Sequence, residues 1–90
     1  MTGARRPVRV YFSNWCGYCA RARRLLESRG IDLELLDVDM QPGAREEMMQ
    51  LTGRRTVPQI FVGDRHIGGC EELFALEQSG ELDEILREPA

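Results

Sequence analysis

Two cysteines, Cys16 and Cys19, are the residues whose type and spacing most directly suggest chemistry in this chain. They follow an apolar, β-prone run at residues 8–12 and precede a stretch at residues 20–29 that is typical of a helix. The N-terminal end of a helix carries partial positive charge and unpaired backbone N–H groups, which favour a thiolate on Cys16. This arrangement suits thiol–disulfide exchange. The motif alone leaves a pair of zinc ligands or a short structural disulfide open as alternatives.

The elements that position this pair can be predicted from apolar spacing and from glycine and proline breaks. We predict a single α/β domain over residues 1–90, with its core at about residues 8–86 and the order β-α-β-α-β-β-α. The sheet should be mixed, parallel where a helix connects two strands and antiparallel at the final hairpin. The predicted strands cover residues 8–12, 31–38, 59–62 and about 66–67, and the predicted helices cover residues 20–29 and 44–51, a helix opening at Cys70 and a last turn at 82–86.

Composition limits the classes of function. The chain has 90 residues and a net charge of −3, and each of its 12 basic residues is an arginine. Because the chain is acidic overall and no basic stripe alternates with aromatic residues, we expect no nucleic-acid partner. No apolar run approaches the roughly 18 residues of a membrane span, and the start of the chain does not resemble a secretory signal. We therefore expect a cytoplasmic protein without membrane contact, whose cysteines react or bind metal.

Three motifs together resemble one known family. The chain carries Cys-Gly-Tyr-Cys after the first strand, Thr56-Val57-Pro58 before the third strand, and Gly-Gly-Cys-Glu-Glu at residues 68–72 before the third helix. Their order and separations are similar to those of glutaredoxins, over about residues 8–86. The small bacterial dithiol type also has a cysteine at the position of Cys70. The resemblance implies a thioredoxin-like fold, with a four-stranded mixed sheet flanked by helices.

The resemblance also implies a glutathione site. The Val57–Pro58 peptide bond should be cis and face the cysteines, so that the backbone of Val57 pairs with the cysteine of glutathione like an added strand. In the family, an acidic side chain at the position of Glu72 binds the α-ammonium group of the ligand. Here it is Glu rather than Asp, and its charge is equally explained by the N-terminus of the helix. The implied glutathione-binding residues are Tyr18, Arg45, Arg55, Thr56, Val57, Pro58, Gly69, Cys70, Glu71 and Glu72.

The site departs from the family where the glycine carboxylate of glutathione would bind. Relatives have a lysine three residues before the first cysteine, and this chain has Ser13 there. Arg45 and Arg55 match family positions that contact this carboxylate, and an arginine can hold a carboxylate through two hydrogen bonds. The alternative is that both are surface arginines, exposed to solvent and without a role in binding. His66 is expected on the surface of the hairpin, without a catalytic role.

The function implied is that of a glutathione-dependent thiol–disulfide oxidoreductase. Cys16 is the expected nucleophile towards glutathionylated and disulfide-containing proteins, Cys19 offers a dithiol path, and glutathione reductase takes part indirectly by regenerating glutathione. The expected state is a monomer. One alternative is a non-enzymatic scaffold, in which Cys16 of two subunits and two glutathione molecules hold a [2Fe–2S] cluster, and Gly17 in place of the family's usual proline favours it. Another alternative, a redoxin that depends on thioredoxin reductase, is opposed by the motif at residues 68–72.

Overall fold

The sheet at the centre of the molecule has four strands. The computed structural model describes residues 7–87, so the predicted domain limits at residues 1 and 90 lie outside the described residues. The strands stand in the order β2-β1-β3-β4, and their bounds are β1 Val8–Phe12, β2 Leu33–Asp37, β3 Gln59–Val62 and β4 Arg65–Gly68. Strand β1 pairs in parallel with β2 and antiparallel with β3, which in turn pairs antiparallel with β4. The predicted mixed sheet is confirmed.

One strand direction differs from the prediction. A helix connects β2 to β3, yet β3 runs antiparallel to β1, which is itself parallel to β2. The expectation that a helical connection yields parallel strands therefore held for β1 and β2 and was wrong for β2 and β3. Parallel strands need a long connection such as a helix, but a helical connection does not require that the two strands it joins be parallel.

Four helices complete the fold, and their bounds are α1 Gly17–Ser28, α2 Ala44–Thr52, α3 Cys70–Ser79 and α4 Glu81–Arg87. Helix α1 begins three residues before its predicted start, because the sulfur of Cys16 accepts a hydrogen bond from the backbone N–H of Cys19 and caps the first turn. The predicted last turn is a helix of 7 residues. Gly80 separates it from α3 in a left-handed conformation with φ of 83°, which glycine adopts without steric cost.

The core lies on both faces of the sheet. On one face, Val8, Val10 and Ile60 pack with apolar residues of α1, α3 and α4, among them Leu26 and Leu73. On the other face a smaller group is built around α2, and its buried members are Tyr11, Val38, Ala44, Met48 and Phe61. Burial on both faces is what a layered α/β domain requires. The two layers hold the ends of β1 and β3 in fixed relation to α1 and α3, where the cysteine motifs lie.

Strand β2 forms an edge of the sheet. Its sequence, in which alternation is mixed with an apolar run, is typical of a strand covered on both faces. Leu33 and Leu35 do pack against the cluster beneath α1, and Leu36 packs against the cluster beneath α2. All three remain only partly buried, because an edge strand has a neighbour on one side only. The mixed apolar pattern of this strand thus indicates that both of its faces are covered, but it does not indicate that the strand lies at the edge of the sheet.

Candidate active site

Cys16 lies where β1 ends and α1 begins, with its sulfur partly exposed. The sulfur accepts a hydrogen bond from Cys19 N at 3.3 Å, and as a thiol it donates to the carbonyl oxygen of Val57 at 3.5 Å. A backbone N–H directed at the sulfur stabilises negative charge on it, together with the dipole of α1. Cys16 is therefore placed for nucleophilic attack.

Cys19 is held in a different environment, one turn further along α1. Only 2% of Cys19 is exposed, and burial raises the pKa of its thiol to about 12. Burial also raises the pKa of Cys70. At neutral pH, Cys19 is thus an uncharged thiol behind a more exposed Cys16. The sequence motif did not indicate this difference in burial between its two sulfurs.

The loop from Thr56 to Pro58 faces Cys16. The peptide bond between Val57 and Pro58 is cis, as expected. Gly69 approaches this loop closely, since a β-carbon at this glycine would lie 3.2 Å from the carbonyl oxygen of Pro58. The absence of a side chain at Gly69 therefore allows the loop and the start of α3 to lie side by side.

A groove with a volume of about 680 Å³ runs between this loop, α1 and α3. It brings together eight of the ten predicted glutathione-binding residues, which are Tyr18, Thr56, Val57, Pro58, Gly69, Cys70, Glu71 and Glu72. Cys16 is not part of its lining but lies at its end, through the contact with Val57. Tyr18 is 62% exposed, so its ring is available to a bound molecule rather than buried at the start of the helix.

Glu72 is engaged twice within the protein. One carboxylate oxygen accepts from the backbone N–H of Gly69 at 2.8 Å, which caps α3. The other forms an ion pair with Arg54 at 3.3 Å. The hydrogen bond from Gly69 is the main cause that lowers the pKa of Glu72. The negative charge of Glu72 in the groove is thus partly balanced by an arginine that the sequence analysis did not single out.

The two predicted arginines lie outside the lining of the groove. Arg45 forms an ion pair with Asp39 at 2.7 Å, and the hydroxyl of Ser13 donates to the same carboxylate at 2.6 Å. These two contacts, that of Ser13 first, lower the pKa of Asp39. Arg45 is therefore linked through Asp39 to Ser13, the position of the missing lysine. Arg55 is exposed. A role for either arginine in binding glutathione stays a prediction.

Several residues of the groove were missed by the sequence analysis. They are Arg21, Arg54, Gln59, Phe74, Ala75 and Gln78. Phe74 is only partly buried, with the guanidinium of Arg21 5.4 Å from its ring centre. No sequence signal distinguishes Arg54 from its neighbour Arg55, because the direction of each side chain depends on the turn after α2.

Comparison with known proteins agrees with this geometry. The family model for glutaredoxin matches residues 8–67. The chain belongs to the glutaredoxin family. It is 46% identical over 80 residues to glutaredoxin 3 of Escherichia coli, covering 89% of this chain and 96% of that protein.

Two solved structures extend the likeness to the fold, which is thioredoxin-like. The solution structure of a glutaredoxin from Brucella melitensis has a TM-score of 0.83 and 42% identity, covering 97% of this chain and 95% of that one. The crystal structure of a buckwheat glutaredoxin–glutathione complex has a TM-score of 0.82 and 32% identity, covering 90% of this chain and 76% of that one. At family level, the chain is thus an oxidoreductase.

Residues 7–87 contain neither a cluster of metal-binding side chains nor a helix that could span a membrane. Among these residues, no group of three or more His, Cys, Asp or Glu side chains could hold a metal ion. None of the helices described there is long and apolar enough to cross a bilayer. The [2Fe–2S] alternative needs only Cys16 from each subunit, so the lack of such a cluster within these residues does not bear on it.

Proposed function

We propose that this glutaredoxin is a glutathione-dependent oxidoreductase that reduces protein–glutathione mixed disulfides and protein disulfides. The observation that carries the proposal is the placement of the Cys16 sulfur 3.5 Å from the carbonyl of Val57, at the end of a groove lined by residues of all three family motifs. The backbone of Val57 is available there to pair with a peptide. The buckwheat neighbour was solved with glutathione, which supports the same ligand here.

The reaction proceeds by two displacements. The thiolate of Cys16 attacks the glutathione sulfur of a mixed disulfide, the S–S bond breaks, and the protein thiolate leaves and takes up a proton. A second glutathione thiolate then attacks the sulfur of the glutathione held on Cys16. This step releases oxidised glutathione and restores the thiolate of Cys16. A sulfur stabilised as a thiolate is a good leaving group, so its stabilisation accelerates the second displacement most.

The dithiol path uses Cys19 for protein disulfides. After Cys16 has formed a mixed disulfide with the protein, the sulfur of Cys19 attacks Cys16, closes the Cys16–Cys19 disulfide and releases the reduced protein. Two glutathione molecules then reduce this disulfide, and glutathione reductase regenerates them. All three cysteines of the chain are free thiols, which suits the cytoplasm that we propose as the setting. The proposed state is a monomer.

The test is a coupled assay with glutathione, glutathione reductase and a small glutathione mixed disulfide. We expect Cys16→Ser to abolish turnover, because the attacking sulfur is lost. Ser28→Ala, at the other end of α1, is the control and should retain full activity. Retention of more than a few per cent of turnover by Cys16→Ser would overturn the assignment of the nucleophile.

The alternative proposal is a dimer that carries a [2Fe–2S] cluster on Cys16 and glutathione. One observation favours it: apart from its two chain neighbours and the backbone of α1, nothing in residues 7–87 lies within 4 Å of the place where a side chain at Gly17 would begin, so the surface next to Cys16 is unoccupied there. Visible absorption of the protein as purified, together with its mass in solution, tests this proposal. A colourless monomer that turns over in the coupled assay would refute it.

A further inference from the structure

A buried glutamine lies directly behind the loop that faces Cys16. Gln59 is the first residue of β3 and is 1% exposed, while the other residues of that strand are apolar. Its amide nitrogen donates to Thr56 O at 3.0 Å and to Thr56 Oγ1 at 3.2 Å. Its amide oxygen lies 2.7 Å from Nε2 of His66. Both ends of the buried amide are thus hydrogen-bonded, as burial requires.

These contacts determine the protonation of His66. The carbonyl oxygen of Thr56 can only accept, so it must face the amide nitrogen of Gln59, and the amide oxygen must face His66. Nε2 of His66 therefore carries a proton. Burial lowers the pKa of His66, so the ring is neutral at pH 7. The ring is stacked on Phe61, with a centroid distance of 4.9 Å and an interplanar angle of 29°, which holds the donor in place.

In the described part of the chain, strand pairing stops before residues 56–58, and apolar packing of Val57 against the clusters on both faces of the sheet is the other contact that holds the loop. Pairing between β1 and β3 ends at Tyr11 and Gln59, and pairing between β3 and β4 ends at Ile60 and Gly68. Residues 56–58 come before the first paired residue of β3. The side chain of Gln59 continues the hydrogen bonding of the sheet into this loop, and His66 on β4 holds that side chain.

We propose that Gln59 and His66 are positioning residues, which hold the Thr56–Pro58 loop in the geometry that binds glutathione. The proposal rests on the proposed function, since the ligand is glutathione. Fixing the loop in advance lowers the ordering cost that glutathione binding would otherwise incur. Neither residue takes part in bond making or breaking, so their loss should raise KM for glutathione and leave kcat nearly unchanged.

Three variants distinguish an effect on the geometry of the loop from a general loss of folding stability. Gln59→Met keeps the volume and removes both bonds to the loop, so KM for glutathione should rise about five- to tenfold. His66→Phe keeps the stacking on Phe61 but leaves the oxygen of Gln59 unpaired, so it should lower Tm and raise KM about threefold. The double variant Gln59→Met/His66→Phe contains no unpaired amide. Its Tm should exceed that of His66→Phe, while its KM stays as high as that of Gln59→Met.

A matched control and a measurement without glutathione complete the test. Val62→Ala, at a fully buried position of the same strand, should lower Tm and leave KM unchanged. In the protein without ligand, the NMR order parameter of the Val57 backbone N–H should be lower in Gln59→Met than in the wild type and the control. If KM follows Tm across all four variants, or does not change in Gln59→Met, the proposal is wrong. If the wild type itself fails to turn over the mixed disulfide, the proposed function is wrong, and this proposal fails with it.

Discussion

Replacing Cys19 by serine removes the second sulfur of the cysteine pair. It retains the backbone N–H of residue 19, which donates a hydrogen bond to the sulfur of Cys16. We predict that Cys19→Ser keeps deglutathionylation close to the wild-type rate at pH 7. It should lose the reduction of protein disulfides that need two thiols. The reason is the burial of Cys19, which raises the pKa of its thiol to about 12.

The size of the effect follows from this pKa. At pH 7, a thiol with a pKa of about 12 is ionised in about one molecule in 100,000, whereas an ordinary thiol such as glutathione, with a pKa of about 8.5, is ionised to about 3%. Glutathione thus has about a 3,000-fold larger thiolate fraction. The greater basicity of Cys19 recovers about 25- to 55-fold in nucleophilicity. Per collision, Cys19 remains about 100-fold less reactive, so glutathione is a competent replacement for it.

The pH dependence provides an independent check. The thiolate fraction of glutathione levels off above about pH 8.5, whereas that of Cys19 continues to rise about tenfold per pH unit towards its own pKa. As the pH rises above about 8.5, closure of the Cys16–Cys19 disulfide should therefore become faster relative to attack by glutathione. The activities of the wild type and of Cys19→Ser should differ increasingly in this range.

The assay compares two substrates across this pH range, a small glutathione mixed disulfide and a protein disulfide. Cys19→Ala serves as the matched control, because it also removes the sulfur without placing a new hydroxyl in a buried position. Equal loss of both activities in both variants at pH 7 would show that Cys19 is obligatory. The reasoning from its burial would then be wrong.

Three further predictions concern the rest of the groove. Gly69→Ala places a β-carbon 3.2 Å from the carbonyl oxygen of Pro58, so KM for glutathione should rise about fivefold, and an unchanged Michaelis curve would show that the loop yields freely. Ser13→Lys should tighten glutathione binding by about threefold, and by about tenfold with Asp39→Asn, because Asp39 otherwise pairs with the new ammonium group. Calorimetric titration that shows no change in either variant would refute the need for a cation there. The pKa of Glu72 is lowered on folding, so its carboxylate stabilises the protein above about pH 4.5 and this contribution is lost as the pH falls through the folded-state value. Urea unfolding should find the wild type more stable than Glu72→Gln at pH 7 and the two converging in acid, and a difference that does not vary with pH would contradict this.

The local pattern of apolar runs and turn-forming residues predicted most of the fold. The strands β1 and β3 were predicted with the observed bounds, because each is a short apolar run whose ends are marked by proline, glycine or polar residues. The start of α1 was missed because its cap is the sulfur of Cys16, a residue type that rarely caps a helix. His66 was expected on the surface, but it is partly buried and stacked on Phe61. Alternation within a four-residue strand does not reveal such packing.

The sequence by itself determined the family and predicted Cys16 as the nucleophile, because both depend on short motifs that can be read directly from the chain. Because Cys16 and Cys19 lie between a predicted strand and a predicted helix, their spacing indicates one sulfur at the start of the helix and the other one turn further on. Only the tertiary structure decided the burial of Cys19, the pairing of Arg54 with Glu72, and the link between Gln59 and His66. Burial and direct contact depend on packing between separate elements, and a pKa responds to burial and contact rather than to residue type alone.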